Sequence, residues 1–203
     1  MPFQDCIHSL KIPSEKFDID FRTDVGNWPL YTERMTAEEL FLDASANKLR
    51  QLVGRIEVCL GKLTEEQIWA RGHENQNAVG NLALHLDGNV RQWILASLGD
   101  APDSRDRDSE FAARAGWYSA QLAARLRVTV EQAANLILKL KPEQLTKLYS
   151  IQIYEVSGVE AVLHVVEHFS YHTGQIIFAT KLMTEEDLGF YRQLSNARHE
   201  QMP

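Results

Sequence analysis

Cysteine is nearly absent: Cys6 and Cys59 are the only two in 203 residues. They form no CxxC pair, which excludes zinc-ribbon and thioredoxin-like chemistry as well as a disulfide scaffold. Basic charge is in deficit, with 21 Lys+Arg against 28 Asp+Glu and a net charge of −7. Phosphate backbones are bound by clustered Lys and Arg, so no nucleic-acid partner is expected. No apolar run approaches the roughly 20 residues that cross a bilayer. The opening stretch, residues 1–20, has no basic segment followed by an apolar one, so neither a signal peptide nor a membrane partner is expected. The default is a reduced, cytoplasmic protein. Six prolines and eleven glycines leave room for long helices. Against these scarcities stand an ordinary globular balance and seven histidines, three of them within nine residues.

Residues 1–35 show no sustained period and are punctuated by Pro2, Pro13 and Pro29. They read as an irregular arm, with one helical domain over residues 36–203. Thr36-Ala37-Glu38-Glu39 is a capping box, in which the hydroxyl and the carboxylate satisfy each other's free backbone N–H groups. The helix it opens carries Leu40, Ala44, Leu49, Leu52, Val53, Ile56 and Leu60 at helical spacing, and Gly61 is its expected stop. Thr64-Glu65-Glu66-Gln67 starts a short helix. A second long helix is expected from Ala78 to Leu98, capped by Asn77. Residues 99–110 (GDAPDSRDRDSE) read as a charged surface loop. A third long helix covers Ser119 to Leu140, and Pro142 opens a short turn of helix. Tyr149, Ile151 and Ile153 alternate, which allows one short strand or hairpin. Ser157-Gly158-Val159-Glu160 caps a fourth long helix reaching Met183, and Thr184 resembles the start of a short terminal helix. The expected fold is an all-α four-helix bundle with short connecting helices. A faint echo relates Lys62-Leu63-Thr64-Glu65-Glu66-Gln67-Ile68 to Lys139-Leu140-Lys141-Pro142-Glu143-Gln144-Leu145, as if two helical hairpins were related.

The fourth helix places His164, His168 and His172 at i, i+4 and i+8. One i,i+4 step turns about 40° and rises about 6 Å, so two imidazoles can converge on one ion. His164 and His172 lie about 12 Å apart along the axis and do not easily share one. The spacing therefore leaves two pairs open, His164/His168 or His168/His172. An open metal site needs a third ligand from another element. His85 is the best candidate, within a polar stripe with Asn81 and Asn89, which are read as partners that orient its ring. His8, His73 and His199 lie in loops or tails and receive no role. His164-Val165-Val166-Glu167-His168 also matches the inverted zincin pattern H-x-x-E-H, whose enzymes have mixed α/β architecture that a four-helix chain does not share.

The segments Gly80-Asn81-Leu82-Ala83-Leu84-His85-Leu86-Asp87-Gly88-Asn89-Val90-Arg91-Gln92-Trp93 and His168-Phe169-Ser170-Tyr171-His172-Thr173-Gly174-Gln175-Ile176 resemble the DinB-like superfamily, in a bacterial branch of unknown function. The resemblance spans roughly residues 36–183. It implies a four-helix bundle holding a divalent metal ion through three residues, which map onto His85, His168 and His172, with His164 a neighbour. It also implies a metal-dependent enzyme of thiol-transferase type, using a low-molecular-weight thiol with a small-molecule substrate, and by analogy a homodimer. A metal-dependent hydrolase, or a bundle whose metal is only structural, are the alternatives. The tri-histidine set suits Zn²⁺, Ni²⁺ or Fe²⁺. No general base is evident. Glu167 points about 100° from His168 and reads as a surface residue. Gln175 reads either as a group at the rim of the site or as an interhelical hydrogen-bond partner. Tyr171 and Trp93 read as packing, and Asp87–Arg91 as an exposed i,i+4 ion pair.

Overall fold

The structure, a computed structural model, describes residues 35–192. The expected arm over 1–35 lies outside the described residues except for Met35, as do Cys6, His8 and His199. Helix α1 spans Ala37–Lys62 and opens on the expected box: the Thr36 N–H donates to Glu39 at 2.8 Å, and the Glu39 N–H to the Thr36 hydroxyl at 3.2 Å. Gly61 is not its stop. The helix runs through it to Lys62, and Leu63 turns extended to reach Thr64, the cap of the next helix. Helix α2 is Glu65–Trp69. Helix α3 is Val79–Val90, followed by one wide π-helical stretch, Arg91–Ala96. The expected continuous α-helix to Leu98 is thus broken in type, though not in direction. Asn77 does not cap α3. Ala78 holds that position, and the Asn81 side chain accepts its N–H at 3.1 Å from inside the first turn.

Helix α4, Arg107–Ala112, lies partly within the stretch expected to be a surface loop. Helix α5 is Ser119–Ile137 and α6 is Pro142–Thr146. The strand-like segment forms a hairpin, β1 (Leu148–Ile151) antiparallel to β2 (Tyr154–Ser157), turning through Gln152 in the left-handed region. Helix α7 spans Gly158–Thr184 with the expected Ser157/Glu160 box. Thr184 starts no helix. Its hydroxyl donates back to the Thr180 carbonyl at 2.8 Å, and Glu185 ends α7 in a left-handed cap. The sequence echo has a physical counterpart: Gln67 and Gln144 each reach back to the N-cap backbone of their short helices, at 2.9 and 3.0 Å.

The four long helices close a ring in which α1 and α3 each pack on both α5 and α7. Their inner faces meet in one apolar core that includes Leu49, Ile56, Leu86, Leu126, Ile137, Phe169 and Ile176, all essentially solvent-free. Each such side chain contributes about 1.5–3 kcal/mol by leaving water. This packing sets α3 beside α7. It therefore decides which histidines can meet.

The entry of α7 is fixed by a close approach. A Cβ on Gly158 would lie 2.3 Å from the Gln144 carbonyl oxygen and 3.0 Å from the Leu145 Cα, both backbone atoms of α6. Gly158→Ala is expected to lower the unfolding free energy by about 1–3 kcal/mol, the usual cost of overpacking against groups that do not yield. Denaturant midpoints of the two proteins measure this, and an unchanged midpoint would show that α6 moves freely.

Candidate metal centre

The helix pair α3 and α7 brings His85, His168 and His172 together, with one ligand atom from each all within 4.8 Å of one another. His85 is buried and the other two are half-buried. The Nε2 atoms of His85 and His168 stand 2.9 Å apart. The ring centroids of His168 and His172 are separated by 4.5 Å, as their i,i+4 spacing dictates. His164 is drawn away. Its ring stacks on Trp93 at 3.8 Å between centroids, and Asn89 lies 3.5 Å from its Nε2. Of the two pairs that spacing left open, the structure gathers His168 and His172 around His85. His73 is exposed in the loop before α3, apart from the group.

The atoms behind His85 carry no motif in the sequence. Its Nδ1 lies 3.0 Å from the Glu110 carboxylate, and the same carboxylate receives both Nε (2.8 Å) and a terminal nitrogen (2.9 Å) of Arg105. A carboxylate only accepts, so Nδ1 carries the proton and Nε2 presents its lone pair. The Arg105 nitrogen 3.1 Å from Nδ1 is then a neighbouring donor aimed at Glu110 rather than at the ring. Burial alone would raise the Glu110 carboxyl, but the hydrogen bonds from His85 and Arg105 outweigh it and hold it below the usual range. Both Glu110 and the Arg105 side chain are buried, so these two depart from the expected surface loop, whose residues 100–104 and 106–109 are exposed. Gly88 supplies their space: a Cβ there would meet Glu110 Oε1 at 1.9 Å.

Asn81 and Asn89 do not orient His85 directly, contrary to the expectation from their spacing. The Asn81 amide donates to the Glu110 carbonyl at 2.8 Å and the Ala113 carbonyl at 2.9 Å. It thereby pins the backbone that carries Glu110. Asp87 is not part of an exposed pair: it is buried, and it accepts from Arg91 (3.1 Å), Arg125 (2.7 Å) and the Thr129 hydroxyl. Trp93 packs as expected, but against His164. Glu167 is exposed. Gln175 Oε1 lies 2.6 Å from His172 Nδ1. That contact puts the proton on Nδ1 and leaves Nε2 as the lone-pair atom of this ring too.

On α7, burial disfavours the charged form of the rings. Burial pushes His168 down to about 3, helped by the neighbouring histidines and Arg105. Burial also lowers His164 and His172. Two imidazole nitrogens at 2.9 Å need a proton or a cation between them. With Nδ1 of His85 engaged by Glu110, its Nε2 brings none, so either His168 Nε2–H donates to it or a cation lies between the two rings. The donor set thus fits a divalent ion of the kind imidazole prefers, Zn²⁺, Ni²⁺ or Fe²⁺. Cys59 offers no competing ligand: it is buried, and burial raises its thiol. Beside the cluster opens a cleft of about 380 Å³ whose lining includes His85, His168, His164, Trp93, Asn89 and Tyr154. His172 is outside that lining.

Two outcomes are expected. Glu110→Gln keeps an acceptor for Nδ1–H but loses the charge that favours this tautomer and holds Arg105, so divalent-ion affinity should fall about 10- to 100-fold; competition with a chromogenic chelator reads it. Chelator-treated protein should be acid-labile. The folded pKa of His168 is depressed from 6.5 to about 3, so the unfolded chain binds the extra proton first, and stability present above 6.5 is lost as pH falls toward 3. The depressed Glu110 adds to this loss in the acid range. Denaturant midpoints taken at falling pH should decline below about 6.5, and a flat profile would contradict the assignment.

Among the described residues no helix is long and apolar enough to cross a membrane. The chain is similar in structure to a conserved protein of Enterococcus faecalis, with a TM-score of 0.60 at 18% identity, covering 75% of this chain and 99% of the other. It is also similar to the DinB-like protein YjoA of Bacillus subtilis, with a TM-score of 0.56 at 15% identity over 73% and 97% of the two chains. These likenesses establish a DinB-like all-α fold. No curated protein matches the chain. The family described as "Protein of unknown function (DUF1572)" matches residues 36–200, and the chain belongs to that family.

Proposed function

We propose that this protein is a metal-dependent enzyme acting on a small molecule, with His85, His168 and His172 as the ligands of one divalent ion. The observation that carries this reading is the cleft: it reaches two of the three histidines and opens to solvent. A purely structural site would be closed by a fourth protein ligand, whereas catalytic sites keep a position free. When bound, such an ion would supply Lewis acidity, favouring the thiolate of a small thiol or the hydroxide of a water at neutral pH.

The chain's own residues do the rest. Glu110 and Gln175 hold the rings of His85 and His172 in the tautomer that offers Nε2. The Trp93–His164 stack and Tyr154 wall the cleft with flat apolar surface, suited to the body of a small organic substrate. Asn89 and Gln152 offer hydrogen-bonding groups along the same wall. Cys59, the only cysteine among the described residues, is buried and offers no nucleophile to the cleft, in keeping with a thiol that arrives as a co-substrate. That favours a thiol S-transferase over a route through an enzyme thiol. Hydrolysis is the second reading, since the same site would serve water.

Metal analysis of protein as purified should show about one divalent ion per chain. It should fall to background in His85→Ala and His168→Ala and persist in His164→Ala. Conjugation assays with several cellular thiols and an electrophilic acceptor, run beside ester and amide hydrolysis, separate the two chemistries. Full metal loading with turnover of neither class would overturn the catalytic reading.

A further inference from the structure

A second cavity, of about 370 Å³, opens on another flank of α3. Leu84 and Gly88 line it, about 100° around the helix from His85 and Asn89, which line the metal cleft. Among the described residues, Arg105 alone lines both spaces. Two further arginines reach the second cavity: Arg91, at the start of the π-helical stretch, and Arg125 of α5. The Nε of each donates to the same oxygen, Oδ2 of Asp87, at 3.1 and 2.7 Å. Asp87 is buried and accepts from the Thr129 hydroxyl as well. One cation balances one carboxylate, so the two guanidiniums leave one positive charge in surplus. Trp117 steadies Arg125, whose guanidinium carbon stands 5.1 Å from the ring centroid. The terminal nitrogens of Arg91 and Arg125 donate to no protein acceptor among the described residues. Both side chains are open to solvent, at 44% and 39% exposure.

The other charged groups on this cavity are already engaged. Arg105 is paired with Glu110. Asp103 accepts from the Gln92 amide at 2.9 Å and the Arg105 N–H at 3.2 Å. Asp106 accepts the Ser109 N–H at 3.1 Å as the cap of α4. Their negative charges remain, however, and limit how much charge an anion brings with it. Leu84, Leu95 and Pro102 add apolar surface. We propose that this cavity binds a small organic carboxylate. The carboxylate accepts from the free terminal nitrogens of Arg91 and Arg125, and its apolar body lies against Leu84, Leu95 and Pro102. A guanidinium presents parallel N–H donors that match the two oxygens of a carboxylate. One surplus positive charge matches one negative charge, so a monocarboxylate suits the site better than a phosphate dianion, which Asp103 and Asp106 repel. The volume falls within the range of small-molecule pockets, at its lower end. Nothing in the site depends on a metal ion.

Calorimetric titration of the protein as purified with benzoate, at low ionic strength, tests it. Benzoate should bind with a Kd of about 1 mM or below, the range open to so small a ligand. Phenyl phosphate should bind no more tightly, and neutral benzamide about 10-fold more weakly or worse. Arg91→Gln removes one fork and leaves Asp87 its partner Arg125, so benzoate should weaken about 10-fold or more. Should that variant not fold, Ser104 offers a test that leaves both arginines in place, since it is exposed on the cavity wall. Ser104→Glu sets a rival carboxylate there and should weaken benzoate about 10-fold, whereas Ser104→Gln, of the same size, should leave it within about 3-fold. Absence of benzoate binding would overturn the proposal, as would benzamide binding equally well or phenyl phosphate binding more tightly. Benzoate affinity unchanged in Arg91→Gln or in Ser104→Glu would do the same, and would send the carboxylate to the histidine centre instead.

Discussion

The site depends on one buried contact, the hydrogen bond from His85 Nδ1–H to the Glu110 carboxylate. An imidazole offers one lone pair, and the proton's position decides which nitrogen has it. Glu110 settles this for His85, turning Nε2 toward α7. The carboxylate has its own requirement, since burial favours its neutral form. Protonated, it would become a donor, and the tautomer of His85 would no longer be set. Arg105 prevents this by meeting the same carboxylate through two nitrogens, 2.8 and 2.9 Å away. Such a pair is expensive to break once buried, about 3–5 kcal/mol when one partner is lost.

Much of the surrounding architecture serves that contact. Glu110 comes from α4, a helix of six residues with little burial of its own. Asn81 ties its backbone to the first turn of α3, and Arg71 adds hydrogen bonds to the Phe111 and Ala113 carbonyls at 3.0 and 3.3 Å. Gly88 stands one turn beyond His85, where any larger residue would strike the Glu110 carboxylate. The π-helical stretch after Val90 follows on the same helix. It carries Trp93, whose stacking on His164 occupies the ring that α-helical spacing would otherwise offer as a ligand. Short π segments in helices are frequent at functional sites, and here the segment bounds the cleft.

The long helices and the His168/His172 pair were legible because both obey the helical period. Leu49, Leu52, Ile56 and Leu60 mark a core face, and the boxes at Thr36, Thr64 and Ser157 mark starts. His168 and His172 are one i,i+4 step apart, so any straight helix brings them together. Choosing them over His164 and His168 needed more, because Trp93 captures His164 only through tertiary packing. Glu110 and Arg105 were hidden for a different reason. A stretch such as Asp106-Arg107-Asp108-Ser109-Glu110 reads locally as solvated, and burial of one of its charges depends on a partner distant in the chain. Gly88, in the middle of an otherwise well-filled helix, was the single sequence signal that something had to fit there. The caps misread at Asn77, Gly61 and Thr184 share one cause: each residue type suited a helix end, but neighbours already met that need. Asn81 supplied the α3 cap, the extended Leu63 ended α1, and Thr184 bonded back into α7.

The neutrality of the histidine cluster follows from where its charges lie. A group of three imidazoles could be stabilised as cations by nearby carboxylates, and Glu110 is close enough to do so. Its negative charge is instead balanced by Arg105, so His168 feels chiefly its burial, with the neighbouring histidines and Arg105 adding to it, and its pKa falls to about 3. A charge-balanced pair behind His85 therefore fixes one ring's tautomer without making the cluster anionic, while burial holds His168 and His172 below the usual histidine range. Lone pairs are then available without acid competition. Removing Arg105 alone would undo the first of these two effects, because burial would then favour the neutral carboxyl at Glu110 and leave the tautomer of His85 unset.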